Sequence, residues 1–225
     1  MAGCWVRWRH GRSAAGTRVQ PRPPFPTVVP MTSPASAPAL DAGTALVLID
    51  LQHGILALPT ARPGDEILRN AIALAEAFRA HKLPVVLVNV AWSPDGCDLP
   101  TTDVDRPGPA TAPPAAFSEI PAELAALGDV TVTKRHWGAF TGTELDLQLR
   151  RRGIHKIVLA GISTSIGVES TARAAWEHSY GLVFAEDATA DLDADSHAHT
   201  FGKIFPRIGR VSSTREIIAA LDPLS

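Results

Sequence analysis

The strongest constraint in this chain is an alternation that begins after residue 41. Short, unbroken apolar runs are separated by longer stretches whose apolar residues recur at helical spacing. The first run is Thr44–Ile49 (TALVLI), and further runs lie at Val85–Val90, 130–133, 156–161 (KIVLAG) and 182–185, with a short one near 208–211. A strand with one wet face alternates apolar and polar residues, whereas an unbroken apolar run is buried on both faces. Between the runs, residues 67–78 place Ile67, Ile72, Leu74, Ala75 and Phe78 on one helical stripe. Residues 143–152 read as a polar-faced helix stopped by Gly153, and 168–178 and 194–205 as helices, with a last helix after the final strand. Buried strands alternating with helices imply an α/β fold: a mostly parallel, doubly wound sheet between two helical layers, three layers in an α/β/α arrangement. Residues 41–225 are expected to form this single domain.

The first forty residues have no such pattern. They hold seven of the nineteen prolines, five arginines (Arg7, Arg9, Arg12, Arg18, Arg22) and no acid. A segment of that composition buries too little to offset its ordering entropy, so residues 1–40 read as a disordered Pro/Arg-rich arm. The only methionines are Met1 and Met31, which makes Met31 an alternative natural start. Without the arm the chain has 16 basic and 23 acidic side chains, a net of −7 against −2 for the whole. An acidic body lacks the basic face that phosphate neutralisation requires, so no nucleic-acid partner is expected. No run reaches the roughly 18 consecutive apolar residues of a membrane span. The two cysteines, Cys4 and Cys97, build neither a disulfide framework nor a thiolate metal cage, which suits a cytoplasmic chain.

In an open parallel sheet the ligand crevice lies beyond the carboxyl ends of the strands. The residues that follow each apolar run are therefore the ones to weigh. Asp50 ends the first run, Lys134 ends the third, and the turn Gly161-Ile162-Ser163-Thr164-Ser165-Ile166-Gly167 follows the fourth. A carboxylate and an ammonium on neighbouring strand ends would pair, with Asp50 moving a proton and Lys134 tuning it. A helix opening at Gly167 would offer backbone N–H groups to an anion. Taken singly, each has a plainer reading: Asp50 as a turn former, Lys134 with Arg135 and His136 as a solvated cluster, Gly161 and Gly167 as permissive turn residues.

Together these residues resemble a known family. The segments VLIDLQ (47–52), TKRHWGAF (133–140) followed by GTELDLQLRRRGI, and AGISTSIGVESTARAAWE (160–177) followed by EDA (186–188) are similar to the isochorismatase-like hydrolases, and within them to the YecD-like subgroup. The resemblance spans about residues 44–221. It implies an α/β/α domain with an Asp, Lys and Cys triad at the carboxyl edge of its sheet. Asp50 falls on the aspartate, Lys134 on the lysine, and Gly167 on the position of the nucleophilic cysteine. It also implies a cis peptide at Ile162–Ser163, backbone N–H groups of Ser163 and Gly167 facing a substrate oxygen, and Trp137 and Phe140 lining the pocket. No cofactor is implied. No metal is expected either, because residues 89–92 (NVAW) carry none of the Asp and His ligands found in nicotinamidases.

With glycine at the cysteine position, the thioester route to amide hydrolysis is closed. True isochorismatases also have glycine there and cleave an enol ether by protonation from the aspartic acid. The resemblance thus implies Asp-centred acid/base hydrolysis of a small, carboxylated metabolite such as an enol ether. Two alternatives stand beside it: a ligand-binding pseudoenzyme of the same fold, and an amide or imide hydrolase using directly activated water. Family relatives imply a homodimer or higher homo-oligomer. Cys97 is not at a helix start and is not read as a nucleophile. His197 and His199 form an H-x-H pair without a third ligand and are read as surface or capping residues. No histidine is tied to the hydroxyls of residues 163–165, and Glu169 with Arg173 reads as a helix-surface ion pair.

Overall fold

The central strand decides how the rest of the chain is arranged. In the computed structural model, which describes residues 38–100 and 103–222, all six residues of β1 (Thr44–Ile49) are buried. Side chains alternate across a strand. Leu46 and Leu48 therefore enter one hydrophobic layer, and Ala45, Val47 and Ile49 enter the other. The expected arm and Met31 lie outside the described residues except for 38–40, where Leu40 already packs into the first layer.

The first layer is covered by α2 (Gly64–Ala80), whose Ile67, Ala71, Leu74, Ala75 and Phe78 are all buried, and by the capping-box helix Thr214–Ala219. The second is covered by α4 (Leu145–Arg151) and α5 (Glu169–Glu177). To keep chain order, the one-turn helices His53–Leu56 and Ala122–Ala125 are α1 and α3, and Ala194–His199, Phe205–Ile208 and Thr214–Ala219 are α6, α7 and α8.

Among the described residues one six-stranded sheet forms. Its strands are β1, β2 (Val85–Val90), β3 (Val130–Lys134), β4 (Lys156–Ile162), β5 (Gly181–Ala190) and β6 (Arg210–Ser212), in the order β3-β2-β1-β4-β5-β6. Every pair is parallel. The chain builds outward from β1 through β2 to β3, then returns to lay β4 against the other side of β1. The topological switch point thus lies between the carboxyl ends of β1 and β4, where the crevice of such a sheet opens.

Three details differ from the sequence expectation. β5 runs to Ala190 rather than 185, because an irregularity in the β4–β5 register lets the chain carry Glu186 and Asp187 and then resume pairing at Gly161 with Thr189. The helix expected from residue 168 is preceded by a wide helical turn, Thr164–Val168, so the helical backbone starts before Gly167. Gly161 is not in a turn. It lies inside β4 with φ +133°, and a Cβ there would come within 2.1 Å of the Ile49 carbonyl oxygen on β1. Only glycine permits both that backbone conformation and that approach. Gly161→Ala is therefore expected to lower the unfolding free energy by about 3 kcal/mol through backbone strain and overpacking, measured by denaturant titration. An unchanged midpoint would contradict the close approach.

Candidate active site

Asp50 is the first residue beyond β1 and has φ 54°, a left-handed conformation that non-glycine residues seldom adopt outside special sites. Its backbone N–H donates to the Val88 carbonyl of β2 at 2.8 Å, which fixes the turn while the side chain folds back into the protein. Gln52 secures the same exit. Fully buried, it donates from Nε2 to the carbonyls of Val90 and Phe117, both at 3.0 Å, and accepts from Val90 N–H at 2.8 Å.

Lys134 ends β3, which is not next to β1, since β2 lies between them. With neighbouring strands about 4.8 Å apart, a partner on β3 has to reach over one strand, and the long lysine stem does so. The Lys134 Nζ sits 2.8 Å from Asp50 Oδ2 and also donates to the His136 carbonyl at 3.1 Å. Both side chains are buried, with 3% and 7% of their surface exposed. The other carboxyl oxygen, Asp50 Oδ1, is buried and has no hydrogen-bond partner among the described residues. Burial pushes the Asp50 carboxyl up to about 6, against the opposing pull of the Lys134 ammonium. It can therefore gain or lose a proton close to neutral pH.

Gly167 completes the grouping. A Cβ built on it would lie 3.1 Å from Asp50 Oδ2, 3.2 Å from Ile49 Cγ2 and 3.6 Å from the Trp137 carbonyl oxygen. Asp50, Lys134 and Gly167, which lie on three separate segments, thus converge at the carboxyl edge. The peptide bond between Ile162 and Ser163 is cis. Trp137 is 65% exposed on the segment that passes Gly167. The Phe140 ring stacks on His178 at 5.4 Å and lies 5.8 Å from Tyr180, beyond the far end of α5. Its role is packing against the second core layer.

Sequence reasoning missed the supports of the 163–167 turn. Thr164 is fully buried, and its Oγ1 is 2.7 Å from His197 Nδ1 on α6. Asp191, just past β5, accepts the Ser165 N–H at 2.6 Å. Thr171 accepts from Ala139 N–H at 3.0 Å and donates to the Gly167 carbonyl at 2.7 Å, joining the 137–139 segment to the turn. His197 is thus half-buried and held by Thr164 rather than free on the surface, whereas His199 is exposed as expected. Burial holds the pKa of His197 below the usual histidine value, and its Nε2 is buried without a partner among the described residues. Because Thr164 has no exposed surface, this hydroxyl–imidazole pair braces the turn rather than attacking a ligand. Neither contact is local in sequence, which is why no motif announced it.

Other expectations find plainer places. Glu169 pairs with Arg173 at 2.8 Å as expected, and its other oxygen accepts from Thr200 Oγ1 at 2.8 Å. Cys97 is exposed, and the Asp95 carboxylate beside it raises its thiol, the reverse of an activated nucleophile. Among the described residues no group of three or more His, Cys, Asp or Glu is arranged to hold a metal ion, and no helix is long and apolar enough to cross a membrane.

A family profile described as the isochorismatase domain matches residues 44–216. The isochorismatase family protein YecD of Escherichia coli O157:H7 is 51% identical over 180 residues, 79% of this chain and 96% of that protein. The ureidoacrylate amidohydrolase RutB of Variovorax paradoxus is 45% identical over a shorter stretch of 65 residues, 29% of this chain and 26% of that protein. Among solved structures, an isochorismatase family protein from Burkholderia thailandensis superimposes with a TM-score of 0.80 at 44% identity, covering 83% of this chain and all of that one.

The geometry at Asp50 has a measurable consequence. Its folded value of about 6 exceeds its ordinary 3.8, so the folded state holds the proton more tightly. The stability it confers is complete below the ordinary value and is lost as pH rises through about 6. Difference infrared spectroscopy of wild type against Asp50→Asn should show a carboxyl titrating near 6, and Lys134→Met should move that midpoint higher. A midpoint near 4, or one that falls in Lys134→Met, would contradict the burial argument.

Proposed function

The chain belongs to the isochorismatase family, and within that family we propose that it is a hydrolase acting by Asp50 acid/base chemistry, without a covalent intermediate, on a small carboxylated metabolite such as an enol ether. One observation carries this reading. Asp50 is a buried carboxyl with one oxygen held by Lys134 and the other without a partner among the described residues, and it faces a glycine rather than a side chain that could attack.

The chemistry follows from those parts. A protonated Asp50 delivers its proton to the methylene carbon of the enol ether, and the adjacent carbon becomes an oxocarbenium ion. Water adds to that carbon. The resulting hemiketal expels the alcohol, the methylene ends as the methyl group of a 2-keto acid, and the proton released by water returns to Asp50. Lys134 holds the carboxyl in place and stabilises its charge while the proton is away. The backbone N–H groups of Ser163 and Gly167 are proposed as donors to the substrate oxygen, with the Trp137 ring beside them. The Thr164–His197 and Ser165–Asp191 contacts hold that backbone at its working position, which matters because small displacements of positioned groups cost large factors in rate.

A second reading is supported by the similarity to a ureidoacrylate amidohydrolase: water activated directly by Asp50 and added to an amide or imide. Ammonia release separates it from enol-ether cleavage. A metabolite screen read by mass spectrometry is expected to find turnover, and ligands that raise the melting temperature without turnover would indicate a binding protein instead. With the substrate so found, Asp50→Asn and Lys134→Met should each lower kcat by about a hundredfold or more. Cys97→Ser and thiol-blocking reagents should leave it unchanged. Loss of activity on thiol blocking would overturn the non-covalent mechanism.

A further inference from the structure

At the opposite end of the sheet lies a cleft that the proposed chemistry does not use. Its floor is made by residues that precede strands: Ala42 before β1, Leu83 and Pro84 before β2, and Ile154 before β4. Asp129, immediately before β3, and three cations stand on its walls: Arg79 and Lys82 at the end of α2, and Arg152 at the end of α4. Because all the strands are parallel, these starts share one edge, and Asp50, Lys134 and Gly167 lie at the other. The cleft measures about 630 Å³, a volume suited to a small molecule.

Its charge is not balanced from within. Asp129, its only acid among the described residues, is already satisfied: Oδ1 accepts from Arg79 Nη1 at 3.0 Å and Oδ2 accepts the Val85 N–H at 2.9 Å. The Lys82 side chain makes no hydrogen bond or ion pair among the described residues, and the Arg152 side chain bonds only within its own helix, from Nη1 to the backbone and side-chain oxygens of Gln148. The cations are not needed to cap the two helices. Backbone N–H groups already meet the terminal carbonyls: those of His81, Lys82 and Leu83 at the end of α2, and those of Gly153 and Ile154 at the end of α4. What remains is a pocket of net charge +2 on a body whose residues 41–225 carry −7. A local reversal of sign in a concave site concentrates anions there.

We propose that this cleft is a second binding site, for a small dianion: a phosphate-bearing or dicarboxylate ligand held by Lys82 and by the free edge of the Arg152 guanidinium, with Leu83, Pro84 and Ile154 under its apolar part. A guanidinium presents paired donors that match either kind of oxyanion, and the lysine adds a point charge.

Calorimetric titration of the full chain with inorganic phosphate, and in parallel with succinate, at constant ionic strength tests this. Saturable binding is expected, and the tighter of the two anions identifies the ligand class. The double variant Lys82→Asn, Arg152→Gln should weaken it by at least about tenfold, while Lys134→Met should leave it intact. Both replaced side chains are exposed, and asparagine tolerates the φ of 58° at residue 82, so the variant is expected to fold like the wild type by circular dichroism. Each single variant should also weaken binding. Undiminished binding in the double variant, loss of binding in Lys134→Met, or no saturable binding by about 10 mM would overturn the proposal.

Discussion

The buried ion pair between Asp50 and Lys134 sets the terms for everything around it. Two charges withdrawn from water are costly unless their geometry is fixed and the remaining polar atoms are met. Here the pair closes at 2.8 Å, Lys134 spends a second donor on the His136 carbonyl, and one carboxyl oxygen has no partner among the described residues. The fold holds this arrangement through β1, whose every side chain is buried, and through Gln52, which ties the strand exit to β2 and to the turn at residues 115–118. A rigid frame lets a carboxyl remain under-satisfied, and its burial places its proton near neutral pH.

Close backbone approach is the second constraint, and two glycines carry it. Gly161 lets β4 press against the Ile49 carbonyl on β1, which brings the following turn up to Asp50. Gly167 leaves open the volume that a side chain would occupy against Asp50 Oδ2. The first shapes the crevice and the second decides what chemistry fits in it. The turn between them has little freedom, being fastened by Thr164 to α6, by Ser165 to Asp191 and by Gly167 to Thr171.

Much of this is legible in the sequence alone. Unbroken apolar runs announced strands covered on both faces, and Asp50 and Lys134 stood out because each directly follows such a run. The misreadings have physical causes. Glu186 and Asp187 looked like the end of β5 because a strand that bulges around two acids has no periodic signature. His197 looked peripheral because its partner Thr164 is 33 residues away.

By itself the sequence determined the layer architecture, the strand ends on which chemistry could sit, and the absence of a thiol at residue 167, because periodicity, strand termini and residue identity are local properties. Only the tertiary structure decided that Lys134 reaches over β2 to Asp50, that the hydroxyl of Thr164 meets an imidazole, and that three cations gather at the far edge of the sheet. Those outcomes depend on strand order and on which helix ends share an edge, and contacts between segments far apart in the chain leave no local trace in it.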